Sequence, residues 1–210
     1  MQKVKKILKI LEREYPHAKI TLDFKNPLEL LIATILAAQC TDERVNLVTK
    51  DLFKKYRKAE DYVKVDMGEL EEDIRKTGFY KNKAKAIKGC CRKIFEDFKG
   101  KVPKTLSELT SLSGVGRKTA NIVLANAYKK DTISVDTHVK RVSKRLGLAQ
   151  SEDSDRIEEE LCKVIPKEKW SRTTHLLVFH GREICHAKKP KCEGCPLMEY
   201  CSYFKTISKS

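Results

Sequence analysis

Four cysteines near the C-terminus, Cys185, Cys192, Cys195 and Cys201, fall in a C-x6-C-x2-C-x5-C pattern broken by Pro190, Gly194 and Pro196. Thiolates crowded this closely form disulfides, hold zinc or hold an iron–sulfur cluster. The spacing is not the common zinc pairing of two separated C-x2-C knuckles, and taken alone it leaves zinc and iron–sulfur both open. A second constellation is Leu112-Ser113-Gly114-Val115-Gly116-Arg117-Lys118. Its glycines allow positive φ and a close approach of backbone to a ligand. The N–H groups that open the following helix lack intrahelical acceptors, so they can bind an anion such as a DNA phosphate. A bare G-x-G also fits a tight helix–helix turn. Arg117, Lys118, Thr119, Ala120 and Asn121 then bring cations and small residues to where a duplex would lie. A third is Val135-Asp136-Thr137-His138, which offers a carboxylate at a place where Asp also serves as a helix N-cap.

The elements that position these residues read as helical throughout. Val4, Ile7, Leu8 and Leu11 form one face of an N-terminal amphipathic helix, without the continuous apolar run of a signal peptide. Residues 28–38 are apolar nearly all round, as a buried central helix should be, with Pro27 at the start. Further helices are expected at 42–57, 69–76, 81–98, 105–111, 117–128, 137–146, 154–164 and 168–182, punctuated by Gly78, Gly100, Pro103 and Gly116. The acid-rich run from Glu152 to Glu160 suits a helix start, at the positive end of its dipole. No segment alternates with a period of two, so the fold class expected is all-α. Cys40, Cys90, Cys91 and Cys162 sit singly or as a vicinal pair in helix-like segments and read as buried small hydrophobes.

Composition bounds the partners. The 210 residues hold 44 Lys and Arg against 29 Asp and Glu, a net charge of +15, which points to a polyanion and, with no membrane signature, to nucleic acid. No stretch approaches the ~20 apolar residues of a transmembrane helix. The expected setting is cytoplasmic and reducing, nucleoid-associated in a prokaryotic cell, which disfavours disulfides. The high charged fraction, 35%, hints at a thermophile.

LSGVGRKTANIVLANAY, then VDTHVKRVSKRLGL, then the cysteine loop, with ILAAQCTD at 35–42 and TGFYKNKAKAI at 77–87, together resemble the endonuclease III branch of the helix-hairpin-helix DNA glycosylases. The resemblance runs through nearly the whole chain, with these motifs in the family's order and spacing. It implies two helical domains. One is a six-helix barrel over 20–131, with the helix-hairpin-helix at about 105–128. The other is a discontinuous cluster domain formed by 1–19 and 132–210, with DNA lying between the two. It implies a 4Fe–4S cluster on Cys185, Cys192, Cys195 and Cys201, structural rather than catalytic, tying together a loop too small for its own core. Ser113 departs from the family, which usually has proline there to stiffen the hairpin.

The resemblance also assigns the chemistry. Lys118 matches the nucleophile, whose neutral amine attacks the sugar carbon carrying the damaged base; a Schiff base forms and β-elimination cuts the strand 3′ to the lesion. An ordinary lysine titrates near 10.4 and a useful amine nucleophile near 7–8, a difference of about 4 kcal/mol. A helix dipole supplies at most about 2 kcal/mol, so desolvation and neighbouring cations must do most of the work. Asp136 matches the essential carboxylate. Beside an amine it would hold the proton on, so its role is to face the positive charge developing on the sugar and to move a proton during elimination. The target base must leave the stack first. Gln39 is the candidate filler of the vacated space, and Phe79 or Tyr80 an apolar wedge. Gly114, Val115, Gly116, Arg117, His138, Lys189 and Lys191 are candidate DNA contacts, with Lys188 beside them. The expected activity is a monomeric bifunctional N-glycosylase and abasic-site lyase, acting on oxidised pyrimidines in double-stranded DNA containing damaged bases or abasic sites. Its rivals are a monofunctional mismatch or uracil glycosylase, and a non-catalytic DNA-binding module with a structural metal.

Overall fold

The computed structural model describes residues 2–208. Among them all regular structure is helical, as the missing two-residue alternation foretells. The helices are α1 (Gln2–Glu14), α2 (Pro27–Leu36), α3 (Asp42–Lys55), α4 (Ala59–Lys64), α5 (Met67–Asp73), α6 (Tyr80–Asp97), α7 (Leu106–Thr110), α8 (Arg117–Tyr128), α9 (Thr137–Leu146), α10 (Ser154–Val164), α11 (Trp170–Glu183) and α12 (Ser202–Ile207). The chain forms two compact units. Thr21–Lys129 makes one; Met1–Ile20 and Lys130–Ser210 make the other.

In the 21–129 unit, α2 is the central element. Asn26 caps it by accepting from the Glu29 N–H at 3.0 Å, and Pro27 occupies the first position, where no donor is lost. Leu30, Leu31, Ile32, Ala33 and Leu36 are all but sealed from solvent, so the run that is apolar all round is buried all round. The helix packs on α3, α6 and α8. From α6 come Ile87, Cys90, Cys91 and Ile94, and from α8 Ala120 and Val123, all fully buried. Cys90 and Cys91 are thus the small hydrophobes expected, with burial holding both thiols well above the usual range, Cys90 to about 12. Cys40 differs, standing half-buried in a bend after α2, and Cys162 is half-buried on α10.

The discontinuous unit has its own core. Ile7 and Leu11 of α1 meet Val139, Val142 and Leu146 of α9, Ile157 and Leu161 of α10, and Leu176 and Leu177 of α11. Charged side chains fasten the N-terminal helix there. Arg172 of α11 donates to the carbonyl oxygens of Tyr15 (2.8 Å), Pro16 (3.0 Å) and Ala18, and Lys3 donates to the Leu146 carbonyl at 2.7 Å. A guanidinium on three carbonyls just past the C-terminal end of α1 supplies charge-assisted hydrogen bonds and a favourable contact with the helix dipole.

Candidate functional site

The hairpin between α7 and α8 is built on small residues. Gly114 has φ +73°, and a Cβ there would come within 2.7 Å of the Ala86 Cβ on α6. One turn on, a Cβ at Gly89 would meet the Ser113 side chain at 3.0 Å, so Ala86 and Gly89 form the shallow seat for the turn. Ser113, where the resemblance expects proline, fills the hollow above Gly89. The Val115 N–H donates to the Leu112 carbonyl at 3.2 Å, and its side chain is buried. Val115 therefore anchors the turn, its side chain facing inward rather than toward solvent. Gly116 caps α8 with open space around it and an ordinary φ of −85°. Lys118, in the first turn of α8, is exposed, and Arg117 beside it is half-buried.

Gln39 and Phe79 each stand at a turn with left-handed backbone, φ +53° and +49°, although neither is glycine. Gln39 is exposed and Phe79 is 64% exposed. Tyr80 is half-buried, with the Arg75 guanidinium 5.8 Å over its ring, so of the two aromatics Phe79 is the one free to act as a wedge.

Asp136 and His138 lie in the other unit, at the start of α9. The Asp136 carboxylate accepts from the Val139 N–H at 2.7 Å, so the N-cap role is realised. His138 accepts at Nδ1 from the Arg141 guanidinium at 3.1 Å, and a Cβ at Gly181 of α11 would come within 3.0 Å of it. Burial pushes His138 below the ordinary imidazole range, against the pull of Asp136, which suits a neutral ring accepting from arginine.

The four loop cysteines line one pocket, and none of the described cysteines forms a disulfide. No three His, Cys, Asp or Glu side chains among the described residues converge on a single-ion position. The donors aimed at the sulfurs test the fit to a thiolate-bound cluster. Arg145 Nη1 lies 3.3 Å from Cys185 Sγ, His180 Nε2 3.6 Å from Cys195 Sγ, and the Phe204 N–H 3.4 Å from Cys201 Sγ. Such N–H groups suit sulfurs that carry negative charge, as cluster ligands do. The Tyr15 hydroxyl lies 3.1 Å from His180 Nδ1 and fixes the ring from behind, while burial holds that imidazole down to about 4. Arg145 also donates to the carbonyls of His186 (2.7 Å) and Ala187 (3.1 Å), and Arg141 to that of Cys185 (2.9 Å). Sequence reasoning missed these two arginines. Their signal is an i,i+4 pair on α9, placed to grip one loop. Lys188, Lys189 and Lys191 are exposed on that loop, Lys189 at φ +50°.

Comparison with known proteins agrees with this geometry. Residues 32–167 match the HhH-GPD superfamily of base excision DNA repair proteins, and 185–201 match the iron–sulfur binding domain of endonuclease III. The endonuclease III of a Synechocystis species is 50% identical over 95% of this chain and 92% of its own length. That of Bacillus subtilis is 50% identical over 89% of this chain and 86% of its own. A non-covalent endonuclease III–DNA complex superposes with a TM-score of 0.94 at 47% identity, covering 100% of this chain and 98% of that one. A trapped endonuclease III–DNA covalent intermediate gives 0.93 at 47% identity, covering 99% and 98%. The four-cysteine loop with its inward N–H donors is therefore a 4Fe–4S cluster segment, and the chain belongs to the endonuclease III family within the HhH-GPD superfamily of base excision DNA repair proteins.

Proposed function

We propose that this protein is a bifunctional DNA N-glycosylase and abasic-site lyase that removes oxidised pyrimidines in base excision repair, with Lys118 as nucleophile and Asp136 as the carboxylate facing the sugar. The 21–129 unit is then the barrel domain with its hairpin, and the discontinuous unit the cluster domain. The substrate is double-stranded DNA containing damaged bases or abasic sites, met by a monomer in the cytoplasm. The observation that carries the reading is an exposed amine in the first turn of α8, directly after an unobstructed Gly116. Helix geometry directs the N–H groups of that turn outward, where a phosphate can accept from them and fix the strand beside the amine. The relative caught as a covalent DNA intermediate supports the same chemistry.

The steps follow from the groups present. The unprotonated Lys118 amine forms a bond to C1′ as the C1′–base bond breaks, and the base takes up a proton as it leaves. The sugar ring opens to a Schiff base, loss of a C2′ proton drives β-elimination, and the 3′ C–O bond breaks. Asp136 opposes the positive charge on the sugar in the first step and carries a proton in the later ones. Because Lys118 is exposed in the free protein, water leaves the amine only when DNA covers it. The cluster supplies structure: it gives the loop that bears Lys189 and Lys191 a fixed shape.

Borohydride tests the reading. Reduction during turnover should trap the protein covalently on duplex DNA containing an oxidised pyrimidine or an abasic site, and Lys118→Ala should abolish trapping. Trapping that survives the substitution removes Lys118 from its role. Base release without any trapping points to a water-using, monofunctional enzyme.

A further inference from the structure

Lys83 lies in the first turn of α6 yet is only 5% exposed, an unusual place for an ammonium group. Its partners are carbonyl oxygens. Nζ donates to Leu36 at 2.7 Å and to Thr77 at 2.8 Å. Leu36 closes α2, and Thr77 closes the 3-10 turn Arg75–Thr77, so both oxygens stand where helical geometry supplies no N–H donor. The Lys83 backbone N–H takes a third carbonyl, that of Phe79, at 3.1 Å. One residue thus ties the chain just before the Gln39 turn to the chain entering and leaving the Phe79 turn.

Those turns hold Gln39, three residues beyond Leu36, and Phe79, two beyond Thr77. Both have left-handed backbone without being glycine, and both side chains project into solvent. A non-glycine residue in that region is strained, and it persists only where its surroundings over-determine it. Neither side chain has a packing role in the free protein that would explain the strain. A shared tether beneath the two turns does explain it.

We propose that Lys83 is a positioning residue, whose ammonium staples the Gln39 turn to the Phe79 turn so that both tips enter an opened duplex as one pre-formed pair. The inference rests on the glycosylase reading above. It extends that reading by assigning a buried lysine to control of nucleotide extrusion. Side chains already held in the inserted conformation lose little freedom on binding, so more of the contact energy goes to opening the stack. The solvated face of an amphipathic helix is where a lysine ordinarily belongs. Here the side chain turns inward because two orphan carbonyls meet beneath the turns.

Two substrates separate this role from the chemistry. Excision of an oxidised pyrimidine from a duplex requires the stack to open. β-Elimination at an abasic site in single-stranded DNA does not. Lys83→Met keeps the length of the apolar stem and removes the donors. Its single-turnover excision rate on the duplex should fall by about tenfold to a hundredfold, while its lyase rate on the single strand stays at that of the unaltered protein. In a Phe79→Ala background the same substitution should cost less than it does alone, because only the Gln39 turn is left for the tether to hold and residues acting as one unit are not additive. An equal loss on both substrates, or full additivity with Phe79→Ala, overturns the proposal. If thermal melting shows that Lys83→Met does not fold, the same ratio measured on Lys83→Gln, which retains donors, decides. There a selective, smaller loss on the duplex supports the tether and an unselective one refutes it. Failure of the unaltered protein to cleave an abasic site in either single-stranded or duplex DNA would instead strike the catalytic reading itself, and that result is visible before any variant is made.

Discussion

Asp136 carries two demands on one carboxylate. One oxygen accepts from the Val139 N–H and so caps α9, and the side chain is half-buried. Catalysis asks the same group for negative charge. The two can be pulled apart because asparagine caps a helix about as well as aspartate, whereas alanine costs about 1 kcal/mol. Asp136→Asn should therefore melt close to the unaltered protein and still bind DNA, while releasing base far more slowly. Asp136→Ala should lose about 1 kcal/mol of stability besides. Base release by Asp136→Asn at the rate of the unaltered protein would show that the residue is kept for capping alone. The sequence motif names Asp136 readily because a cap and a catalytic carboxylate share the same signal. It does not reveal Lys83. A lysine on an amphipathic helix reads as solvated, and only the fold brings the Leu36 carbonyl, 47 residues away in sequence, to its ammonium.

At the scale of the element, the hairpin depends on two glycines for different reasons. Gly114 is fixed by backbone and packing: a side chain there faces a left-handed φ and the Ala86 Cβ at 2.7 Å. Gly116 has an ordinary φ and open space, so the fold does not need it to be glycine. Gly114→Ala should destabilise the protein by about 2–3 kcal/mol, combining left-handed strain with overpacking. Gly116→Ala should cost no more than about 1 kcal/mol, the preference for glycine over alanine at an N-cap, and should weaken DNA binding, because the added methyl occupies space a phosphate backbone would use. Calorimetry and duplex affinity on the pair distinguish the two; a large loss of stability in Gly116→Ala would refute the assignment of that open space to ligand. Both glycines are plain in the sequence, but the difference between them depends on α6. Helices with a cap written in the chain, α8 after Gly116, α9 after Asp136 and α10 after Asp153, were legible to the residue. The short α4 was not, since six residues with Ala59 and Tyr62 buried give no period to read. Nor was α12, whose N-cap is the Cys201 sulfur accepting from the Phe204 N–H, a signal hidden inside the ligand motif.

For the whole molecule, the governing quantity is charge. Ion pairs such as Lys55–Asp73 at 2.6 Å and Lys93–Asp97 at 2.7 Å each cancel one cation against one anion. Pairing therefore leaves the excess of +15 untouched, however many pairs form. That excess favours any polyanion without choosing a sequence, as a protein must that inspects DNA for damage rather than for a site. Each phosphate neutralised releases condensed counterions, so log affinity should fall linearly with log salt, with a slope of about −0.9 per phosphate contact. Four such contacts would weaken binding about a hundredfold between 50 and 200 mM salt. Removing the exposed Lys189 or Lys191 by substitution with glutamine should flatten the slope by about one each. Gln39→Ala, which removes no charge, should lower affinity at every salt concentration and leave the slope alone. A slope that Lys189→Gln and Lys191→Gln do not change would remove those two lysines from phosphate contact, and a salt response near zero would separate the basic charge from DNA binding altogether.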